Sequence, residues 1–203
     1  MPQDALDDGR LVNKTHKYGN DDDCADALMT RTFRMLFEAI DGRPNTKGGA
    51  YRLEMLPTTC HVYFGEVCLA SADGRSESQP VSEGISPVQG ADRHGPTAVL
   101  KSASKMDHVK TGGTLLNMKF TPSLLEGDGG IDHLHSLVRS CFKLDGHHMQ
   151  FTVVTADLLR EDKADPASHR DLIVRVAGYS DYFCDLSEAL QDEIIQRTEH
   201  TAF

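Results

Sequence analysis

The run Leu172–Ile173–Val174–Arg175–Val176, closed by Ala177–Gly178–Tyr179–Ser180–Asp181, constrains this chain more than any other stretch. Four of its five residues are apolar and three are β-branched, the pattern of a buried strand rather than of a half-solvated one. A buried strand needs other elements packed over it, so the run implies a layered domain. The glycine behind it predicts a turn, because glycine reaches positive φ without a steric penalty. Asp185, with Glu188 three residues later, reads as a capping box. It would open a helix along which Leu186, Leu190 and Ile194 recur at i, i+4 and i+8.

The rest of the chain supplies the layers. Residues 1–20 are polar and read as an arm or loop. Asp21, Asp22 and Asp23 suit the positive end of a helix dipole. Met29, Phe33, Leu36, Phe37 and Ile40 then form one helical face, which Gly42–Arg43–Pro44 ends. Residues 51–56 alternate apolar and polar and read as a strand, and 61–67 read as another. Residues 71–96 are rich in Gly, Pro, Ser, Asp and Glu and read as a long loop. The pattern predicts a short helix over 97–108, burying Ala98, Val99, Ala103 and Met106, and an extended segment at 114–120. A helix with Ile131, Leu134, Leu137, Val138 and Cys141 on its apolar side should follow Asp128–Gly129–Gly130. A strand is expected at 149–154, then a short helix capped by Thr155. Strands and helices alternate, so the fold class is α/β. The chain is expected to divide into a first segment, 1–75, and a C-terminal domain, 76–203.

The charge balance, 31 acids against 21 bases in 203 residues, repels phosphate backbones and argues against a nucleic-acid partner. No run of 18 apolar residues is present, so no membrane span is expected. Met1–Arg10 lacks the basic start and apolar run of a secretory signal. Cys24, Cys60, Cys68, Cys141 and Cys184 are odd in number and include no C-x-x-C pair, so neither a disulfide framework nor a zinc site is indicated. A reduced, cytoplasmic protein is the expectation. His133 and His135 would point to different sides of a helix, and with His147 and His148 they make a poor metal set. Asp21–Asp23 reads as a solvated helix start rather than a cation site. There is no phosphate loop of the G-x-x-x-x-G-K-[ST] kind, and Ser180 beside Asp181 has no placed base.

The stretch Arg175–Val176–Ala177–Gly178–Tyr179–Ser180 resembles the radical-loop signature of the glycyl radical enzymes, Arg-Val-(Ser/Ala)-Gly-Tyr, found between a strand and a final helix. The tail, Leu190–Ile195 followed by Arg197–Thr198–Glu199–His200, is similar to that family's last helix. Gly146–Val154 is similar to its His-x-Gln-Phe-Asn-Val strand, with Thr152 in the Asn position. Gly90–Thr97, Gly112–Phe120 and Cys60–Gly65 match as well, so the resemblance runs from about residue 11 to the end.

The resemblance implies a radical stored on Gly178, with Arg175, Val176, Ala177, Tyr179 and Ser180 forming the radical loop. Glycine suits this role chemically: loss of one Cα hydrogen leaves a planar centre that a side chain would crowd. The Leu172–Val176 strand and the tail helix would shield the radical from solvent and oxygen. The implied partner is a radical S-adenosylmethionine activase, which itself carries the S-adenosylmethionine and the iron–sulfur cluster. The implied fold is the C-terminal portion of a ten-stranded α/β barrel together with the radical-loop domain. The family's thiyl cysteine belongs to a Gly-Cys-x-Glu-like motif on a second loop. None of the five cysteines here has a Glu two residues later, so the thiol is expected in a barrel outside this chain. Expressed alone, such a segment should be poorly soluble or dependent on a partner.

Among the family's branches, the motifs look closest to those that dehydrate or cleave C–N bonds in small hydroxylated or aminated substrates, with a lean toward hydroxyproline dehydratase. Two alternatives follow from the same resemblance. One is a stand-alone radical subunit that complements a damaged pyruvate formate-lyase-type enzyme. The other is an inactive truncated product.

Overall fold

A computed structural model describes residues 14–56, 59–71 and 74–203. Helix α1 spans Asp23–Ile40 and α2 spans Cys60–Val67. Then come α3 (Pro96–Ser104), strand β1 (Leu116–Phe120), α4 (Gly127–Lys143), β2 (Met149–Val153) and α5 (Ala156–Ala164). A hairpin of β3 (Ile173–Arg175) and β4 (Ser180–Tyr182) precedes α6 (Glu188–Gln196) and the short strand β5 (Glu199–His200). The main sheet is parallel, in the order β2–β1–β5. With helices crossing between its strands, it is an α/β fold.

Strand β1 is buried on both faces, and the two faces differ in chemistry. Leu116, Met118 and Phe120 join Phe33, Val99, Ala103, Met106, Leu137 and Cys141 in one apolar core, covered by α1, α3 and α4. Phe120 anchors it, with its ring 5.3 Å from that of Phe151 and 5.7 Å from that of Phe203. Asn117 and Lys119 alternate to the other face, beside Gln150 and Thr152 of β2. A second core lies on that side: Val62, Val154, Leu159, Val174, Val176, Phe183, Leu190 and Ile194. Lys119 is buried there and donates to the carbonyls of Ile194 and Ile195 at 3.3 and 2.9 Å, capping the last turn of α6.

Most helix signals hold. Asp22 caps α1, accepting from the amides of Cys24 and Ala25. Thr155 caps α5 through Leu158 N. Ala98, Val99, Ala103 and Met106 are all buried. The described part of 71–95 has neither helix nor strand, as its composition predicts, yet Glu83, Ile85, Ser86 and Asp92 within it are buried. The polar arm is tied to this loop where it is described: Tyr18 donates to Ile85 O at 2.8 Å and Asn20 Nδ2 to Ala91 O at 2.8 Å. Residues 1–13 of that arm lie outside the described residues.

Five expectations need correction. Residues 61–67 form a helix, not a strand. A seven-residue stretch this short fits both periods, and here His61, Val62 and Gly65 turn inward while Tyr63, Phe64 and Val67 stay exposed. Residues 51–56 make a single parallel bridge, Met55 to Thr114, with no ladder beyond it. Leu36 and Ile131 are exposed, because their helix faces turn away from the core. The 172–176 run is a three-residue hairpin strand with Ile173 exposed, so only one face of it is buried. Finally, α6 begins after Ser187 rather than Asp185, because Phe183–Asp185 form a 3₁₀ turn; it ends at Gln196, and the tail then pairs with β1.

The tight packing of α2 gives a first prediction. A Cβ at Gly65 would lie 2.2 Å from Gln79 O and 2.6 Å from Pro80 Cα, both backbone atoms. Gly65→Ala should therefore destabilise the fold by about 1–3 kcal/mol through overpacking, read as a lowered urea midpoint.

Candidate functional site: the glycine hairpin

Strands β3 and β4 pair antiparallel, with Ile173 opposite Tyr182, Val174 opposite Asp181 and Arg175 opposite Ser180. Val176 N donates to Tyr179 O at 2.9 Å and closes the ladder, which leaves Ala177 and Gly178 as the two-residue tip. Gly178 has φ +84°, whereas Ala177 is not among the positive-φ residues. Positive φ at the second central position alone is the pattern of a type II turn, which demands glycine there. A Cβ built on Gly178 meets nothing within 4 Å. The backbone angle, not lack of room, makes this position a glycine.

The tip leaves the protein surface within two residues. Val174, Val176 and Ala177 are buried, whereas Gly178, Tyr179 and Ser180 are exposed. The shielding expected from the 172–176 strand and the tail helix is therefore not built by the described residues. The strand forms one arm of the hairpin itself, the tail helix packs behind it through Leu190 and Ile194 against Val174, Val176 and Phe183, and neither covers the tip.

The polar face of the sheet holds the hairpin from behind. Gln150 Oε1 accepts from Arg175 Nε at 3.0 Å, and Arg175 Nη1 reaches across the ladder to Ser180 Oγ at 2.9 Å. Asn117 Nδ2 donates to Val176 O at 3.2 Å. Arg197, just past α6, donates to Arg175 O at 3.0 Å and to Val176 O at 2.9 Å. Its guanidinium is seated by Glu193: Nη2 lies 2.7 Å from Oε2 and Nε 3.0 Å from Oε1. Gln89 donates to Glu193 Oε1 at 2.8 Å. His61 Nε2 stands 3.5 Å from Glu193 Oε2, an electrostatic contact rather than a hydrogen bond. A cavity of about 20 Å³ lies beside this group, bordered by Glu83, Asn117, Glu193 and Arg197.

The two buried glutamates are driven in opposite directions. Burial pushes Glu193 up, but the Arg197 guanidinium and His61 outweigh it and hold the carboxyl at about 2. Burial pushes Glu83 above the ordinary carboxylate range, against weaker pulls from Arg197, Ser86 and Asn117. A depressed folded value stabilises above the unfolded value and is lost as pH falls through the folded one. Glu193 should therefore contribute on the order of 3 kcal/mol at neutral pH, lost between about pH 5 and pH 2. Glu193→Gln should flatten the acid limb of a stability-against-pH curve. Glu83 has the reverse sign: its contribution is full below about pH 4.5 and fades as pH rises. Glu83→Gln should flatten that decline, while an unchanged acid limb in Glu193→Gln would contradict the assignment.

The structure brings together all the residues singled out in the sequence: Arg175, Val176, Ala177, Gly178, Tyr179 and Ser180. It adds Asn117, Gln150, Glu193 and Arg197, which the sequence reading gave no role. One signal was available: Asn117 and Lys119 interrupt an otherwise apolar strand, and a polar residue on a buried strand needs a partner. His133, His135, His147 and His148 do not gather into a metal set. Among the described residues, the group able to offer three ligand atoms together is His16, Asp22 and Cys24. It lies at the start of α1, where Asp22 already caps the helix. Asp21 and Asp23 pair with Lys105. Cys141 is buried as expected from its helix face; Cys24, Cys60 and Cys68 are exposed. Among the described residues, no helix is long and apolar enough to cross a membrane.

A parallel α/β core thus presents a positive-φ glycine at the tip of a hairpin anchored from behind. The glycine radical family model matches residues 81–184, and the pyruvate formate lyase-like model matches residues 8–65. The chain belongs to the glycyl radical family. It is 58% identical over 191 residues to trans-4-hydroxy-L-proline dehydratase of Clostridioides difficile, an alignment covering 94% of this chain and 24% of that protein. The crystal structure of hydroxyproline dehydratase from the same organism, with trans-4-hydroxy-L-proline bound, superposes with a TM-score of 0.93 at 55% identity. It covers 98% of this chain and 25% of that one. The B12-independent glycerol dehydratase from Clostridium butyricum, in its glycerol-bound form, also superposes with a TM-score of 0.93, at 40% identity and the same coverage. The chain thus spans about a quarter of the length of these relatives.

Proposed function

We propose that this chain is the radical-bearing segment of a glycyl radical lyase of the hydroxyproline dehydratase kind, with the radical stored on Gly178. The observation that carries this reading is the place of Gly178: the positive-φ tip of a hairpin anchored from behind. Removal of one Cα hydrogen needs an approach to that atom, and nothing within 4 Å obstructs the Cβ direction at Gly178. The radical, once formed, supplies the means of drawing hydrogen from a thiol. The chain's own part is to hold the turn: Arg197 and Asn117 fix the carbonyls before it, and Arg175 ties its two strands together. The thiol belongs to a barrel that supplies the remaining three quarters of the relatives' length, and that barrel also covers the tip. The reaction proposed for the whole is dehydration or C–N cleavage of a small hydroxylated or aminated substrate, supported by the 58% identity to a hydroxyproline dehydratase.

The partner that forms the radical is a radical S-adenosylmethionine activase, bearing the S-adenosylmethionine and iron–sulfur cluster, and the setting is cytoplasmic. The division falls near residue 75, with 1–75 belonging to the barrel and 76–203 forming the radical domain. The test is electron paramagnetic resonance of the chain co-produced without oxygen alongside an activase from a hydroxyproline dehydratase system. An organic radical signal split by a single α-hydrogen is the expected result. A folded chain that stays silent with the activase active on its own full-length substrate would contradict the reading. Restored turnover on mixing the activated chain with a barrel lacking its own radical domain would mark it as a complementing subunit.

A further inference from the structure

We infer that Arg197, seated by Glu193 and assisted by Asn117, is the positioning residue of the glycine turn: it sets where Gly178 stands without touching it. This rests on the reading of Gly178 as the radical site. Three observations point the same way. The Arg197 fork closes on two successive carbonyls, Arg175 O and Val176 O, immediately before the tip. Asn117, from the centre of the parallel sheet, donates to the same Val176 carbonyl. Glu193 is fully buried and fixes the guanidinium by three hydrogen bonds, so the fork has one orientation.

The geometry is that of a bracket. From Gly178 to Ser180 the chain is exposed, and among the described residues the turn is held beyond the bracket by its own ladder and the Arg175–Ser180 contact. The direction in which the tip leaves the sheet is therefore decided at Arg175 O and Val176 O. The bracket also touches the first part of the chain, since His61 on α2 contacts Glu193 while Arg197 holds the hairpin. A displacement of about 1 Å in a reacting group costs roughly a hundred-fold in rate, so a loosened bracket lowers radical formation even where the fold survives.

The experiment compares the full chain with two variants. Asn117→Ala removes one donor and no charge. Arg197→Met combined with Glu193→Leu removes the fork and its paired carboxylate together, a replacement that is often neutral for stability. Amide hydrogen exchange is followed residue by residue, and radical yield per chain is measured after activation without oxygen. The expected result is exchange about ten-fold or more faster at Val176 and Phe183, the amides that close the hairpin, with β1 and α5 unchanged. Radical yield should fall in both variants. Uniform acceleration across β1, α5 and the hairpin would make Arg197 a scaffold residue only and overturn the inference. Unchanged hairpin exchange, or selective loosening with full radical yield, would overturn it too. Selective loosening where even the unaltered chain carries no radical would instead overturn the Gly178 reading and leave the bracket standing.

Discussion

Gly178→Ala should abolish the radical completely while leaving the protein folded. Alanine at φ +84° carries a strain of about 1–2 kcal/mol, and its methyl meets nothing within 4 Å. That cost is a fraction of the stability of an ordinary domain. The variant should therefore melt within several degrees of the parent and show the same sheet and helix content. Its resonance spectrum after activation should be empty. The separation of the two readouts is the point: a residue that matters only for the turn would lose stability and keep the signal. A radical signal of full intensity in Gly178→Ala would place the radical elsewhere in the chain.

Removing the carboxylate beneath the turn should have the largest effect on stability. Glu193 is fully buried, and the Arg197 side chain is nearly so. Truncating one partner of such a pair leaves a desolvated charge with nothing to compensate it, at a cost of about 3–5 kcal/mol. Glu193→Ala should therefore unfold at a much lower urea concentration than the parent. The loss should be greatest at neutral pH and shrink toward pH 2, because acid protonates the parent's own Glu193. Glu193→Gln keeps an acceptor for Gln89 and Arg197 and should cost less. A Glu193→Ala chain as stable as the parent would mean that the pair contributes nothing net.

The fold was legible in the sequence where one signal dominated. Apolar periodicity placed α1, α3 and α4, Thr155 announced α5, the 114–120 segment was expected to be extended, and a β-branched and aromatic run placed β2. It failed where a short apolar run fitted two periods, as at 61–67, and where one alternation lacked a partner strand, as at 51–56. It failed again at α6, where Asp185 reads as the cap but Phe183–Asp185 form a 3₁₀ turn and the helix starts later. The glycine hairpin was legible through its motif, including the positive φ at Gly178. Its exposure was not: Leu172–Val176 looks buried throughout, and only the hairpin partner shows that Ile173 faces out. The bracket was not legible either. Asn117, Gln150 and the Glu193–Arg197 pair come from three separate stretches, and only the fold brings their side chains together behind the hairpin.

One measurement reads the location of the radical directly. The activated chain is exposed to air and its fragments are weighed. Dioxygen adds to a carbon-centred backbone radical and breaks the chain there. A radical on Gly178 predicts a cut there that frees the tail from residue 179 to residue 203, in proportion to the radical present beforehand and absent from Gly178→Ala. An activated sample that loses its radical in air while the chain stays whole, or is cut at another residue, would contradict it.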